Sequence, residues 1–267
     1  MTGPKPILTV KIDSLTPEQV ASICDHTFLS RQECFRKEGV NASDARKEEF
    51  EKFISEMLAG PLPYAVCVRP EDVKHAKKRL KQQYKTGMVI ASVVGFPDGS
   101  WYSTNFKKAE AKLAIKDGAG EIDMVVNIKK LKKGKLGAVE KDIAAVVKAC
   151  HKRKALLKLI LETSELTNDE IVAACKIAEK AGVDFVKTST GFTAAGAKQE
   201  HLKLMKENFS RGLKMSGGVK KENLTELLTA ASGRDDGMIE LDPKKIRVGE
   251  SSLLKGMVGA TRPLQDS

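Results

Sequence analysis

Three lysines stand in the middle of apolar, strand-like runs. They are Lys158 in Leu156-Leu157-Lys158-Leu159-Ile160, Lys187 in Phe185-Val186-Lys187-Thr188-Ser189-Thr190-Gly191, and Lys214 in Gly212-Leu213-Lys214-Met215-Ser216. Lysine is almost never fully buried unless something pairs it or uses it. Burial disfavours the ammonium form and lowers the pKa, and a neighbouring cation lowers it further. A neutral amine is a nucleophile toward carbonyl carbon, so the pattern points to Schiff-base chemistry.

Side-chain parity says where these amines go. Residues alternate between the two faces of a strand. In the run 121–127, Ile122, Met124 and Val126 share one face, and Asp123, Val125 and Asn127 the other. Leu157, Leu159 and Leu161 oppose Lys158 and Glu162; Leu213 and Met215 oppose Lys214 and Ser216. If helices cover the apolar face, Asp123, Lys158, Lys187 and Lys214 all turn into one interior. A structural ion-pair network, with Asp123 and Glu162 pairing the lysines, would use the same residues. Three lysines at matching depth beside a carboxylate favour chemistry.

The elements that would hold them recur along the chain. Strands are expected at 23–28, 64–69, 88–95, 121–127, 156–162, 185–190, 212–216 and 246–249, separated by amphipathic stretches. Val139, Ile143, Val146, Val147 and Cys150 share one helical face, as do Leu224, Leu227, Leu228 and Ala231. Thr16 with Gln19 and Thr167 with Glu170 have capping-box spacing. Alternating strands and helices imply a parallel sheet, and eight units at 267 residues fit a closed α/β TIM (β/α)8 barrel better than an open sheet. No G-x-G-x-x-G is present, which weakens the dinucleotide-binding alternative. The expected organisation is one barrel domain over 1–267, with a short N-terminal helix and an enlarged connection at about 30–63 that contains a helix from about 44 to 58.

Two loops suit an anion. Gly217-Gly218 follows the seventh strand, and Gly249-Glu250-Ser251-Ser252 comes after the eighth, each leading into a helix. Barrels often grip phosphate at these places through backbone N–H groups. Glu250 should point away from such a phosphate. The net charge is +11, but the basic clusters 77–79, 129–135 and 152–154 are scattered, and only 5% of residues are aromatic. No nucleic-acid motif accompanies them. Five cysteines, odd in number and without C-x-x-C spacing, read as reduced thiols of a cytoplasmic protein. No apolar run is long enough to span a bilayer, and no secretory signal is expected.

Taken in order, these segments resemble the deoxyribose-phosphate aldolase family, class I aldolases that work through a lysine Schiff base. The motifs are Asp25-His26-Thr27, Ala65-Val66-Cys67-Val68, Val94-Gly95-Phe96-Pro97, Glu121 to Asn127, Lys158 through Glu162-Thr163, Val186-Lys187-Thr188-Ser189-Thr190-Gly191, Lys214 with Ser216-Gly217-Gly218, and Gly249 with Ser251-Ser252. The resemblance implies that Lys187 forms the Schiff base, that Lys214 lowers its pKa, and that Asp123 takes part in proton transfer. It implies a polar role for Asp25, substrate contact by Lys158, sugar contact by Thr27, Cys67 and Thr190, and a phosphate grip of Gly191, Gly217, Gly218, Gly249, Ser251 and Ser252. The chain departs from the family pattern at Ser164, at Glu250, at Phe192 where some members carry lysine, and in a tail after Thr261 that has no tyrosine.

The expected reaction is reversible cleavage of 2-deoxy-D-ribose 5-phosphate into acetaldehyde and D-glyceraldehyde 3-phosphate. It calls for no cofactor and no metal. The partner is a small phosphorylated sugar, with no nucleic acid and no membrane, and a homodimer is allowed for. His26 is expected to pack behind Asp25, His75, His151 and His201 at the surface, and Trp101 against a neighbour. The rivals are another Schiff-base barrel enzyme, an isomerase using Asp123 as base, and a non-catalytic phosphate-binding barrel.

Overall fold

β-Branched and apolar runs, each stopped by polar or glycine-containing turns, become ten strands in the computed structural model, which describes residues 7–83 and 87–259. They are β1 (Thr9–Lys11), β2 (Cys24–Phe28), β3 (Ala65–Val68), β4 (Val89–Val94), β5 (Glu121–Val125), β6 (Leu156–Ile160), β7 (Phe185–Lys187), β8 (Gly212–Ser216), β9 (Met238–Glu240) and β10 (Ile246–Glu250). Eight of them close a parallel barrel in the order β10-β2-β3-β4-β5-β6-β7-β8. These are the eight expected strands. β1 and β9 form a separate antiparallel pair that sequence reading did not find; three-residue strands carry too short an alternation to register.

Each barrel strand is followed by a covering helix: Ala42–Ala59, Val73–Gln83, Thr104–Asp117, Leu136–His151, Asn168–Ala181, Gln199–Asn208, Lys221–Ser232 and Leu253–Gly259. The expected boundary signals operate. Both capping boxes form, at Thr16 and Thr167. Gly118 and Gly182 end their helices with positive φ, a conformation that glycine adopts without a Cβ penalty. Helix Ala42–Ala59 starts on Asn41, whose Oδ1 accepts the Ser43 and Asp44 N–H groups.

Parity divides the core into two layers. Outward-facing Ile122, Met124, Leu157, Leu159, Leu213 and Met215 join the helix faces in one apolar layer. Each such side chain, fully buried, contributes about 1.5–3 kcal/mol. Inside the barrel the composition is split. Cys67, Ala91, Val93, Val125 and Ile160, with Leu29 and Phe96 above them, make a small apolar cluster. Most of the polar residues of the remaining interior are charged. Phe185 projects into the barrel opposite Gly212, where a Cβ would come within 2.3 Å of the ring.

Candidate active site

The registers place the charged residues side by side. Asp123 pairs with Lys158, Lys187 with Lys214, and Lys214 with Arg247 across neighbouring strands. Asp123 is the hub. Its Oδ1 accepts from Lys158 Nζ at 2.8 Å, and its Oδ2 accepts from Lys214 Nζ at 2.8 Å and Lys187 Nζ at 3.0 Å. Lys214 Nζ also donates to Asp25 Oδ2 at 2.5 Å. Lys158 reaches Glu121 Oε2 at 2.5 Å and Asp25 at 3.5 Å. Arg247 closes the network from below, with Nη1 on Asp25 Oδ1 at 2.5 Å and Nη2 on Glu121 Oε1 at 2.7 Å.

The charges in this interior cancel when Lys187 is neutral. Three carboxylates, Asp25, Glu121 and Asp123, face three other cations, Lys158, Lys214 and Arg247. A fourth cation would be uncompensated, and an uncompensated buried charge is expensive. The protonation preferences follow. Burial and then the Lys214 ammonium hold the Lys187 amine below its ordinary range, against the pull of Asp123. Burial works the same way on Lys214, but Asp123 and Asp25 outweigh it and keep that amine charged. Lys158 is likewise held charged, by Asp123, Glu121 and Asp25 against burial. Asp123 stays ionised because Lys158, Lys214 and Lys187 outweigh its own burial.

Above the network lies a cavity of about 1110 Å³ at the C-terminal ends of β2, β7, β8 and β10. Of the three lysines only Lys187 reaches it, with 3% of its side chain exposed against 0% for Lys158 and Lys214. Thr27, Thr190, Gly191, Gly217, Gly218, Gly249, Ser251 and Ser252 line it too. Gly191, Gly217 and Gly218 all have φ between +67° and +83°. The loop after β7 docks onto Gly217, with Ala197 N–H donating to its carbonyl at 3.0 Å, and Gly196 comes so close that a Cβ would lie 1.9 Å from that oxygen. The result is a cradle of bare backbone on one side of the cavity and Lys187 on its floor.

Other expected site residues lie beneath the lining. Asp25, Cys67 and Lys158 have no exposed surface and do not touch the cavity, because their hydrogen-bonding and packing are taken up inside the barrel. Glu162 does not pair the lysines either. It sits in a left-handed conformation at φ 57°, and its carboxylate accepts from Thr190 N, Thr190 Oγ1 and Thr193 Oγ1. It therefore anchors the loop above Lys187. Glu250 and His26 both line the cavity, on its helix-facing side; one Glu250 oxygen is 2.5 Å from His26 Nδ1 and the other accepts the Leu254 N–H. His26 thus lies on the face opposite Asp25, stacked on Phe53 at 4.6 Å. His201 is buried at 6% exposure, and Trp101 is exposed at 61%, both contrary to expectation. The tail after Thr261 lies outside the described residues.

Two members of the network, Glu121 and Arg247, were not found from the sequence. The signal was present: Glu121 shares the parity of Asp123, two residues on, and Arg247 that of Gly249.

Comparison with known proteins agrees with this geometry. A deoxyribose-phosphate aldolase of Aciduliprofundum boonei is 51% identical over 158 residues, 58% of this chain and 69% of that one. One of Thermococcus gammatolerans is 42% identical over 218 residues, 80% and 90% of the two chains. A solved chain from Coccidioides immitis, 32% identical, superposes with a TM-score of 0.70 over 98% of this chain and 92% of its own. Residues 20–242 match the family described as DeoC/LacD family aldolase. With that match running from the edge of β2 past β9, and with a lysine-lined barrel interior beneath it, the chain belongs to the DeoC/LacD aldolases.

Proposed function

We infer that this chain catalyses reversible cleavage of 2-deoxy-D-ribose 5-phosphate to acetaldehyde and D-glyceraldehyde 3-phosphate, with Lys187 as the Schiff-base lysine. The supporting observation is a buried amine on a cavity floor, 3.0 Å from a carboxylate that also accepts from a second buried lysine at 2.8 Å. Neutral Lys187 attacks the open-chain aldehyde carbon, and loss of water leaves an iminium. The substrate's 3-hydroxyl gives up its proton to Asp123 through a water, the C2–C3 bond breaks, and its electron pair flows to the iminium as an enamine. Protonation at C2 and hydrolysis release acetaldehyde and restore the amine. Asp123, whose Oδ2 lies 3.0 Å from Lys187 Nζ, is the carboxylate nearest the cation that the iminium step creates. The phosphate rests against Gly191, Gly217, Gly218, Gly249, Ser251 and Ser252, and Thr27 and Thr190 border the sugar. A cytoplasmic setting is supported by five free cysteines, four of them buried.

Borohydride reduction in the presence of 2-deoxyribose 5-phosphate tests this reading. Peptide mapping should find one adduct, on the peptide carrying Lys187, and Lys187→Ala should lose both adduct and turnover. An active Lys187→Ala protein without adduct would overturn it. A panel of aldehydes and sugar phosphates separates this reaction from that of another Schiff-base aldolase.

A further inference from the structure

We propose that Arg247 and Glu121, beneath the site and out of reach of substrate, are positioning residues that set the charge state of Lys187. The inference rests on Lys187 being the Schiff-base lysine. Arg247 is fully enclosed. Besides Asp25 and Glu121 it donates through Nε to the Pro243 carbonyl, and its guanidinium carbon lies 3.8 Å from the centroid of the Tyr64 ring. These contacts fix the fork.

Two chains of contacts run from Arg247 to Lys187, and both pass through Asp123. One goes by Asp25 and Lys214, with steps of 2.5, 2.5, 2.8 and 3.0 Å. The other goes by Glu121 and Lys158, with steps of 2.7, 2.5, 2.8 and 3.0 Å. Without Arg247, three carboxylates would face two cations. Lys214 and Lys158 would be drawn down toward Asp25 and Glu121, and the spare negative charge would favour a proton on Lys187. Without the Glu121 charge the reverse holds. Lys158 would turn wholly to Asp123 and Asp25, and a proton on Lys187 would be harder to hold. The other groups facing Lys187 do not absorb the change. β3 contributes the Cys67 thiol, which burial pushes up, and β4 contributes only Ala91 and Val93. Lys158 and Lys214 are held charged, which leaves Lys187 as the amine that responds.

The test is the pH dependence of Schiff-base trapping with cyanoborohydride, alongside kcat/KM, in Arg247→Met, Glu121→Gln, the double variant and Arg247→Lys. Arg247→Met should move the acid limb toward higher pH by about one unit, and Glu121→Gln toward lower pH by a similar amount. The double variant should return to the wild-type limb, and Arg247→Lys should stay near it. A merely structural role predicts lower kcat with an unmoved limb. Single variants that leave the limb in place, or that shift it in the same direction, overturn the proposal. Should Arg247→Met fail to fold, Glu121→Gln decides alone, by its downward shift or the lack of one. If wild-type protein traps no adduct at all, the Schiff-base reading itself has failed, which is a distinct result.

Discussion

Lys187 is the member of its network with the least support. One carboxylate holds it, whereas Lys158 and Lys214 are each held by two or three. That arrangement suits a nucleophile and costs stability, because an amine held below its ordinary range leaves the unfolded chain binding the extra proton. Stability from this group therefore rises as pH climbs toward the ordinary lysine value. Lys187→Met should abolish turnover and raise the melting temperature at neutral pH, by about 1–2 kcal/mol in stability, with the gain shrinking as pH rises. Melts of wild type and variant across pH 6 to about 10 check this; a variant less stable than wild type at every pH would contradict it. Asp25 and Asp123 act in the opposite sense. Each is held below its ordinary range, so their contribution is present above that range and is lost as pH falls through it.

At the scale of strands and loops, two glycines carry specific expectations. Gly212→Ala pushes a methyl into the Phe185 ring and should destabilise the barrel by about 1–3 kcal/mol, read from denaturant midpoints. Gly196→Ala drives the loop after β7 off the Gly217 carbonyl. Its effect should fall on KM for a phosphorylated substrate, roughly tenfold, with little change for unphosphorylated deoxyribose; equal losses for both would place the loop's role elsewhere. These elements were largely legible beforehand. The eight barrel strands could be read from alternation, and two caps from Thr16 and Thr167; the Asn41 cap, which starts its helix two residues before the expected position, was not. Strand ends were drawn too far: β5, β6 and β7 stop at Val125, Ile160 and Lys187. Glu162 explains part of this, since its left-handed turn bends the chain out of the ladder and no propensity marks it. Glu121 and Arg247 were one parity step from residues already assigned, but a lone charged residue at a strand end is normally a solvated one. Only closure of the ring, which pairs β10 with β2 and β8, shows that both are enclosed.

Over the whole molecule, a charge of +11 surrounds an interior that is close to neutral. Glu49, Glu56 and Glu250 line the cavity as well as Lys187, Lys220 and Lys255, so attraction of an anion comes from the charge of the whole molecule. Such a field should speed capture of a dianionic substrate, so kcat/KM for a sugar phosphate should fall several-fold between about 20 and 200 mM salt. An uncharged sugar should show no such slope, and a flat response for both would remove the field from the account. The ion pairs inside the barrel have a different consequence. Asp25, Glu121, Asp123 and Lys158 come from β2 to β6, so the first part of the barrel brings a surplus of two negative charges. Lys214 and Arg247 come from β8 and β10 and bring two positive ones. Neither portion can collapse on its own without trapping like charges in a dry space. Cut at Gly182 and expressed apart, the two fragments should remain unfolded; mixed, they should fold together, all or none, as the buried carboxylates of one meet the buried cations of the other.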